Sequence, residues 1–184
     1  LDFQLTLRGG WRASGHAEHD FTDLRRDDYS SYTVDRGAGA VAYRPLGGVD
    51  DGFATSVSAT TPTWQSANAT VRLARNRGPI FAEGSAGYET RLTASLSLRP
   101  SGSIRITASE TFSKITRDRD GSEFARTIIP RLKLEYQPIR SLFFRVVGEY
   151  VSERRAPLLD ARTGDQLFVG GNAVGYSESD RLRV

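Results

Sequence analysis

Residues 88–109 read YETRLTASLSLRPSGSIRITAS, and residues 131–150 read RLKLEYQPIRSLFFRVVGEY. In both segments apolar and polar side chains alternate with a period of two, which predicts β-strands with one apolar and one polar face. Turn-forming residues at 99–103 and 137–141 interrupt the alternation, so each segment is predicted to fold as a β-hairpin. The two hairpins organise the interpretation of the rest of the chain.

The predicted turns also set a register. With the first turn centred on Ser101, Leu98 is expected opposite Ile104. In the second hairpin, Tyr136 is expected opposite Leu142. Apolar side chains then meet apolar side chains across each hairpin.

Alternation elsewhere predicts an all-β chain, an antiparallel up-and-down meander of about eight strands. Leu1 already belongs to an alternating strand, so residues 1–184 are expected to form a single β-barrel segment, a fragment of a longer protein. Between residues 52 and 76, one strand bent near Pro62 is preferred to two, although both interpretations stay open. The remaining expected strands lie at 1–11, 29–44 and 166–175, and the expected loops lie at 13–28, 76–83 and 156–165.

Composition excludes several classes of protein. The 184 residues have a mean hydropathy of −0.42 and no cysteine. The sequence has no run of 18 apolar residues that would predict a transmembrane helix. The net charge is only +3, and acidic residues are interleaved with the basic ones. We therefore expect no nucleic-acid partner.

Two kinds of protein contain antiparallel meanders with one apolar face: soluble β-sandwiches or barrels, and transmembrane β-barrels. Three features favour the membrane: short turns alternate with long charged loops, aromatic residues lie near strand ends, and the polar face mixes both charge signs. The prediction is therefore a barrel in a bacterial outer membrane, in contact with the lipid bilayer, acting as a pore, transporter or surface anchor. The alternative is a soluble module that binds a sugar or other small ligand through Trp11 and Trp64.

The membrane interpretation assigns three sets of residues. The expected lumen-facing residues are Glu89, Arg91, Arg105, Arg131, Lys133, Glu135, Arg145 and Glu149. The expected lipid-facing residues are Leu92, Leu96, Leu98, Ile104, Ile106, Leu132, Leu134, Phe144 and Val146. The expected aromatic girdles, with one group near the short turns and one near the long loops, contain Tyr43, Tyr88, Phe112, Phe124, Tyr136 and Tyr150.

Three segments carry a family resemblance: PRLKLEYQP at 130–138, LFFRVVGEY at 142–150 and DRLRV at 180–184. They resemble the C-terminal outer-membrane barrel of an uncharacterised bacterial family, a domain of unknown function. Its members pair this barrel with an N-terminal carbohydrate-binding-like domain on the same chain. The resemblance implies an outer-membrane location and that partner domain, with no established activity. A carbohydrate-active hydrolase is a further alternative by analogy to the partner domain.

Few residues suggest site chemistry. His16 and His19, with Asp20 nearby, are weak candidates for a zinc site, because no third ligand has a recognisable spacing. Residues 118–123 and 160–165 resemble fragments of a calcium loop but lack its twelve-residue pattern. Glu135 and Glu149 are candidates for a pair of glycosidase carboxylates, but their basic neighbours indicate ion pairs instead. We therefore expect no catalytic residue, no metal and no cofactor.

Overall fold

The computed structural model describes residues 1–35 and 39–184, and within them the chain is all-β and antiparallel. Nine strands form one large sheet and four short strands form a second sheet. The large sheet contains β1 (Asp2–Thr6), β2 (Arg12–Asp23), β5 (Gly48–Thr60), β6 (Ala67–Ile80), β7 (Ser85–Ser101), β8 (Ile104–Arg117), β9 (Glu123–Ile139), β10 (Leu142–Arg155) and β13 (Ser177–Arg183). The small sheet contains β3 (Tyr32–Asp35), β4 (Ala40–Ala42), β11 (Leu167–Val169) and β12 (Asn172–Ala173).

The large sheet is a meander in which every strand pairs with its neighbour along the chain, apart from two insertions. Its order is β1-β2-β5-β6-β7-β8-β9-β10-β13. One insertion, between β2 and β5, carries β3 and β4, and the other, between β10 and β13, carries β11 and β12. Within the described residues, β1 and β13 are the two edges of the sheet and do not pair with each other.

The two longest connections of this sheet, 24–47 and 156–176, lie at the same end. Short turns at 7–11, 61–66, 102–103 and 140–141 join strands at one end, called here the short-turn end. The connections at 24–47, 81–84, 118–122 and 156–176 lie at the opposite end, called here the long-loop end. Since consecutive strands are antiparallel, each hairpin returns the chain to the end from which it started.

The strand register gives the large sheet one apolar and one polar face. Leu92 lies opposite Leu73 on one side and Phe112 on the other, and Phe112 lies opposite Ile128. On the other face Ser97 lies between Asn68 and Thr107. We call these the apolar face and the polar face. The predicted alternation from 88 to 150 is therefore present across neighbouring strands, not only within the two hairpins.

Both predicted hairpin registers are wrong by two residues. Leu98 lies opposite Ile106 and Tyr136 lies opposite Phe144. Irregularities between Leu98 and Ser101, and between Leu142 and Phe144, shift the pairing near each turn. Because side chains alternate with a period of two, a shift of two residues leaves each side chain on its predicted face.

Three predictions in the first half of the chain are wrong. For residues 52–76 the preferred single strand is wrong and the two-strand alternative is correct: β5 and β6 are separated by a turn at 61–66 that contains Pro62. The predicted loop at 13–28 is mostly strand β2, in which Ala13, Gly15 and Ala17 occupy the apolar positions. The predicted strand at 29–44 is broken into β3 and β4, and it belongs to the small sheet. Residues 36–38 of that segment lie outside the described part of the chain.

The small sheet and the adjoining loops form a cap at the long-loop end. β3 pairs with β11, so the cap joins the insertion after β2 to the insertion after β10. Its core is the cluster of buried side chains Leu24, Tyr29, Val34, Tyr43, Val49, Ile80, Ala86, Phe124, Leu158 and Leu167. Ile115 and Ala125 pack against this core, and both belong to the polar face by register. The cap therefore covers the long-loop end of the polar face.

No helix among the described residues is long and apolar enough to cross a membrane.

Candidate functional surfaces

The polar face carries charged side chains that pair within the sheet. All eight predicted lumen-facing residues lie on it by register: Glu89, Arg91, Arg105, Arg131, Lys133, Glu135, Arg145 and Glu149. Glu135 is the centre of one cluster, with its carboxylate oxygens 2.9 Å from Arg145 Nη2, 3.3 Å from Lys133 Nζ and 4.0 Å from Arg105 Nη1. The single carboxylate of Glu135 therefore pairs with three cations, so this region carries a net positive charge.

Hydroxyl groups fill much of the remaining polar face. The carboxylate of Glu89 accepts hydrogen bonds from Arg91 Nη2 (2.6 Å) and Ser113 Oγ (2.8 Å). Arg72 Nη2 donates to Ser56 Oγ at 2.9 Å. The hydroxyls of Ser14 and Ser58 lie 2.7 Å apart across β2 and β5. Such groups suit contact with water or polar solutes better than burial against an apolar layer.

Open clefts line the polar face. A cleft of about 610 Å³ at the short-turn end extends from Ser66, beside β6, to Phe143 in β10. A second, of about 390 Å³, lies between His16 in β2 and Arg91 in β7. Strands four positions apart in the sheet line the first cleft and strands three positions apart line the second, so the polar face is concave.

The apolar face is exposed across most of the nine strands. The nine predicted lipid-facing residues all lie on it by register: Leu92, Leu96, Leu98, Ile104, Ile106, Leu132, Leu134, Phe144 and Val146. Leu132 is 54% exposed and Val146 is 57% exposed. Soluble monomers rarely leave such a contiguous apolar surface uncovered. In the described part of the chain, the hydrophobic core lies instead in the cap.

Aromatic side chains lie at the margins of the apolar face, but only two of the six residues predicted for the girdles, Tyr88 and Tyr136, are among them. At the short-turn end, Tyr136 stacks on Phe144, with ring centroids 6.3 Å apart. Trp11 and Trp64 meet edge to face at 6.0 Å. At the long-loop end, Tyr88 lies in one register row with Phe53. The sequence prediction missed the tryptophans and Phe53 because they lie outside the two hairpins.

Four predicted girdle residues lie elsewhere. Tyr43 and Phe124 are 3% and 5% exposed in the core of the cap. Tyr43 lies there because the chain at 43–49 belongs to the long-loop end and not to a short turn. Phe112 lies opposite Leu92, and Tyr150 lies opposite Leu182. Both are on the apolar face but inside the apolar rows rather than at a margin.

A buried ion pair holds the cap together. Glu83 and Arg117 are 0% and 5% exposed, and Arg117 Nη2 donates to Glu83 Oε1 at 2.6 Å. The carboxylate also accepts from the amide of Leu159 at 2.9 Å, and Arg117 Nη2 donates to the carbonyl of Pro157 at 2.7 Å. The pair thus links the connections 81–84 and 156–176 to the end of β8. No periodic pattern in the sequence distinguishes these two residues from exposed charges.

The cap also perturbs two tyrosines and one aspartate. Burial raises the pKa of Tyr43, whose hydroxyl donates to the carbonyl of Glu83. Burial likewise raises the pKa of Tyr29, whose hydroxyl donates to the carbonyl of Phe81 at 2.7 Å. In the turn after β8, hydrogen bonds from Ser122 and Arg119 hold the pKa of Asp120 below its usual value.

The weak zinc candidates do not come together. His16 and His19 lie in β2, three residues apart, so their side chains point to opposite faces of the sheet. His16 lies between two carboxylates, with Nδ1 2.6 Å from Asp2 and Nε2 3.2 Å from Glu18. Within residues 1–35 and 39–184, no group of three or more His, Cys, Asp or Glu side chains is arranged to hold a metal ion.

The calcium-like fragments are ordinary turns. Asp120 accepts hydrogen bonds from the amide of Ser122 and from Arg119, and Asp118 pairs with Arg77 at 2.7 Å. Asp160 accepts from the amide of Arg162 at 2.9 Å. These carboxylates act within their own turns or pair with neighbouring strands.

Glu135 and Glu149 are too far apart along the sheet for a glycosidase pair. Glu149 lies opposite Arg131, four residues from Glu135, which corresponds to about 13 Å along the strand. Paired glycosidase carboxylates lie about 5–9.5 Å apart. In addition, the three cations around Glu135 keep its carboxylate ion-paired.

Comparison with models of protein families, with curated proteins and with solved structures finds no match to this chain.

Proposed function

We propose that the large sheet is the wall of a bacterial outer-membrane β-barrel, with its apolar face against lipid and its polar face lining the interior. The observation that carries this proposal is the exposed apolar face, which is continuous across antiparallel strands and opposite a concave, charged face. In a membrane, lipid acyl chains contact such a surface, so the free-energy cost of exposing it to water is avoided. The barrel would act as a passage, transporter or surface anchor.

The dimensions of the apolar face support a membrane location. From Tyr88 to Leu98 the apolar positions of β7 extend about 33 Å along the strand, at about 3.3 Å per residue. A strand tilted by about 40° projects this length to about 25 Å, the height of the apolar band of outer-membrane barrels. The aromatic pairs at the short-turn end and the row of Phe53 and Tyr88 then lie near the two interfaces.

The two long connections, 24–47 and 156–176, support an orientation. Outer-membrane barrels have short periplasmic turns and longer extracellular loops. The short-turn end would accordingly face the periplasm, and the cap would lie outside the cell. Because the cap covers the long-loop end of the polar face, it would restrict access to the barrel interior from the extracellular side.

Brominated phosphatidylcholines test this proposal. The chain is refolded from urea into vesicles whose lipids carry bromine at different acyl depths, and quenching of Trp11 and Trp64 fluorescence is measured. Both tryptophans are about half exposed at the short-turn end, so bromine near the headgroups should quench more than bromine near the acyl ends. The folded species should also migrate faster than the boiled species on gels.

A soluble binding module predicts the opposite behaviour. In that case the chain would fold as a monomer without detergent, and brominated lipid would leave the tryptophans unquenched. That result would refute the membrane proposal. A detergent-dependent, quenched and heat-modifiable protein would support it.

A further inference from the structure

One register row of the apolar face is basic. Arg75, Thr90, Lys114, Arg126 and Arg154 lie directly opposite one another on five neighbouring strands, β6 to β10. We call the four cations of this row the basic row. It lies near the long-loop end of the apolar face, between the row of Leu73, Leu92 and Phe112 and the row of Phe53 and Tyr88.

The basic row is a costly arrangement for an isolated sheet. Lys114, Arg126 and Arg154 face one another on three consecutive strands, and like charges directly opposite destabilise a sheet. Two carboxylates offset part of this repulsion. Glu123 pairs with Lys114 (3.5 Å) and with Arg126, and Glu178 pairs with Arg154 (2.7 Å).

The compensation is incomplete. The fourth cation, Arg75, has its guanidinium 5.2 Å from the ring centre of Tyr88. Within the described residues, the four cations of the row thus exceed the two carboxylates that pair with them. This excess of positive charge favours an anionic ligand with several oxygen acceptors.

The opposite margin of the same face has a different character. At the short-turn end, its register row contains Ile104, Tyr136 and Phe144. Among the described residues both margins carry aromatic side chains, but only the long-loop end also carries a row of cations, and a symmetric bilayer offers no reason for that difference. An outer leaflet with phosphorylated headgroups offers one, because arginine and lysine bind phosphate through charge-assisted hydrogen bonds.

We infer that the basic row binds the phosphate groups of lipid A in the outer leaflet. This inference rests on the proposed function, because only a membrane-spanning sheet places the row at a headgroup. The phosphates would contact the row from the lipid side, where its side chains face outward.

Binding of purified lipid A by the full chain in detergent micelles tests the inference. The test variant is K114Q/R126Q/R154Q, and the matched control, R105Q/R131Q/R145Q, removes three cations from the polar face. Native mass spectrometry gives the dissociation constant for lipid A and for chemically dephosphorylated lipid A. With each cation contributing as expected at an anionic surface, the test variant should bind lipid A about a hundredfold more weakly. The control should change less than about threefold, because its cations face away from lipid.

The wild-type protein should bind dephosphorylated lipid A as weakly as the test variant binds lipid A. Equal binding of lipid A by the wild type and the test variant would overturn the inference, as would equal binding of the two lipids by the wild type. Insertion into phosphatidylcholine vesicles, measured alongside, separates the two proposals. If the wild type fails to insert, the proposed function is refuted. If it inserts but shows no phosphate dependence, only the lipid A inference is refuted.

Discussion

Replacing Glu83 with glutamine should open the cap without disturbing the large sheet. The side chain of Glu83 is 1% exposed and receives hydrogen bonds from Arg117, Ser85 and the amide of Leu159. Glutamine keeps the shape and one acceptor oxygen but removes the charge. It leaves the guanidinium of Arg117 buried without its counter-ion.

The magnitude follows from that unpaired cation. Removing one partner of a buried ion pair costs about 3–5 kcal/mol. Arg117 keeps the carbonyl of Pro157 and the hydroxyl of Ser122 as acceptors, so we expect a value near the lower end, about 3 kcal/mol. If the cap opens locally, this free energy corresponds to an increase of about 150-fold in the opening equilibrium.

Hydrogen exchange measured by mass spectrometry follows this opening directly. The amide of Leu159, which donates to Glu83, should exchange about 150-fold faster in E83Q. Amides in the centre of β7 and β8 should keep their wild-type rates. The matched control is Glu153→Gln, because Glu153 and Arg181 form a pair about half exposed on both sides, worth at most about 1 kcal/mol.

Two results would refute this reasoning. If exchange at Leu159 in E83Q stays within about fivefold of the wild type, the ion pair does not hold the cap. If exchange accelerates equally throughout β7 and β8, the cap and the large sheet unfold as one unit.

Three further predictions concern single residues. Burial raises the pKa of Tyr43 above 10, so the variant Tyr43→Phe should lose one late-titrating group from the tyrosinate absorbance curve, and an unchanged curve would contradict the burial. The neutral phenol stabilises the cap fully below pH 10, and this contribution to stability falls as the pH rises further. Replacing Glu110, which lies opposite Ala94 on the apolar face, with leucine should raise the denaturation midpoint in lipid vesicles by a margin equivalent to about 1–2 kcal/mol, and a lower midpoint would argue against lipid contact there. Gly84→Ala should cost more than about 1 kcal/mol in urea unfolding, since Gly84 has φ +56° and an added Cβ would lie 2.7 Å from Pro45, whereas Gly102→Ala, with open space around it, is the control and should cost less than half as much.

The sequence was sufficient to predict the faces of the sheet but not its details. The alternation of Leu96 and Leu98 with serine fixes the face of each side chain, because the side-chain period of a strand is fixed by its backbone geometry. Register depends on the pairing next to each turn, where one irregularity moves every partner by two residues. Local sequence does not specify that irregularity.

Strand β2 shows a second limit of prediction. Its apolar positions carry Ala13, Gly15 and Ala17, which are too small to stand out from their polar neighbours. An added Cβ at Gly15 would lie 2.1 Å from the ring of Phe3, so the small residue there makes room for an aromatic one on β1. A pattern of large apolar residues cannot reveal a strand whose role is to accommodate its neighbour.

The cap could not have been predicted from periodicity at all. Its core combines Tyr43 from one insertion with Leu158 and Leu167 from another, and Glu83 meets Arg117 across the end of two strands. These contacts join residues far apart in the chain, and neither charge differs locally from the exposed charges around it. Because periodicity does not reveal this buried core, Tyr43 and Phe124 were predicted at a membrane interface.

The pairing of β3 with β11 also has a consequence for the order of folding. Val34 and Leu167 lie opposite each other although they are about 130 residues apart in the chain, whereas most neighbours in the large sheet are joined by hairpins. Hairpins close over short loops and form early, but a contact between such distant residues carries a large loop-closure entropy. We therefore expect β3 to pair with β11 only after β5 to β10 have joined the large sheet and the sheet has curved. On this basis the cap should be the last part of the chain to fold.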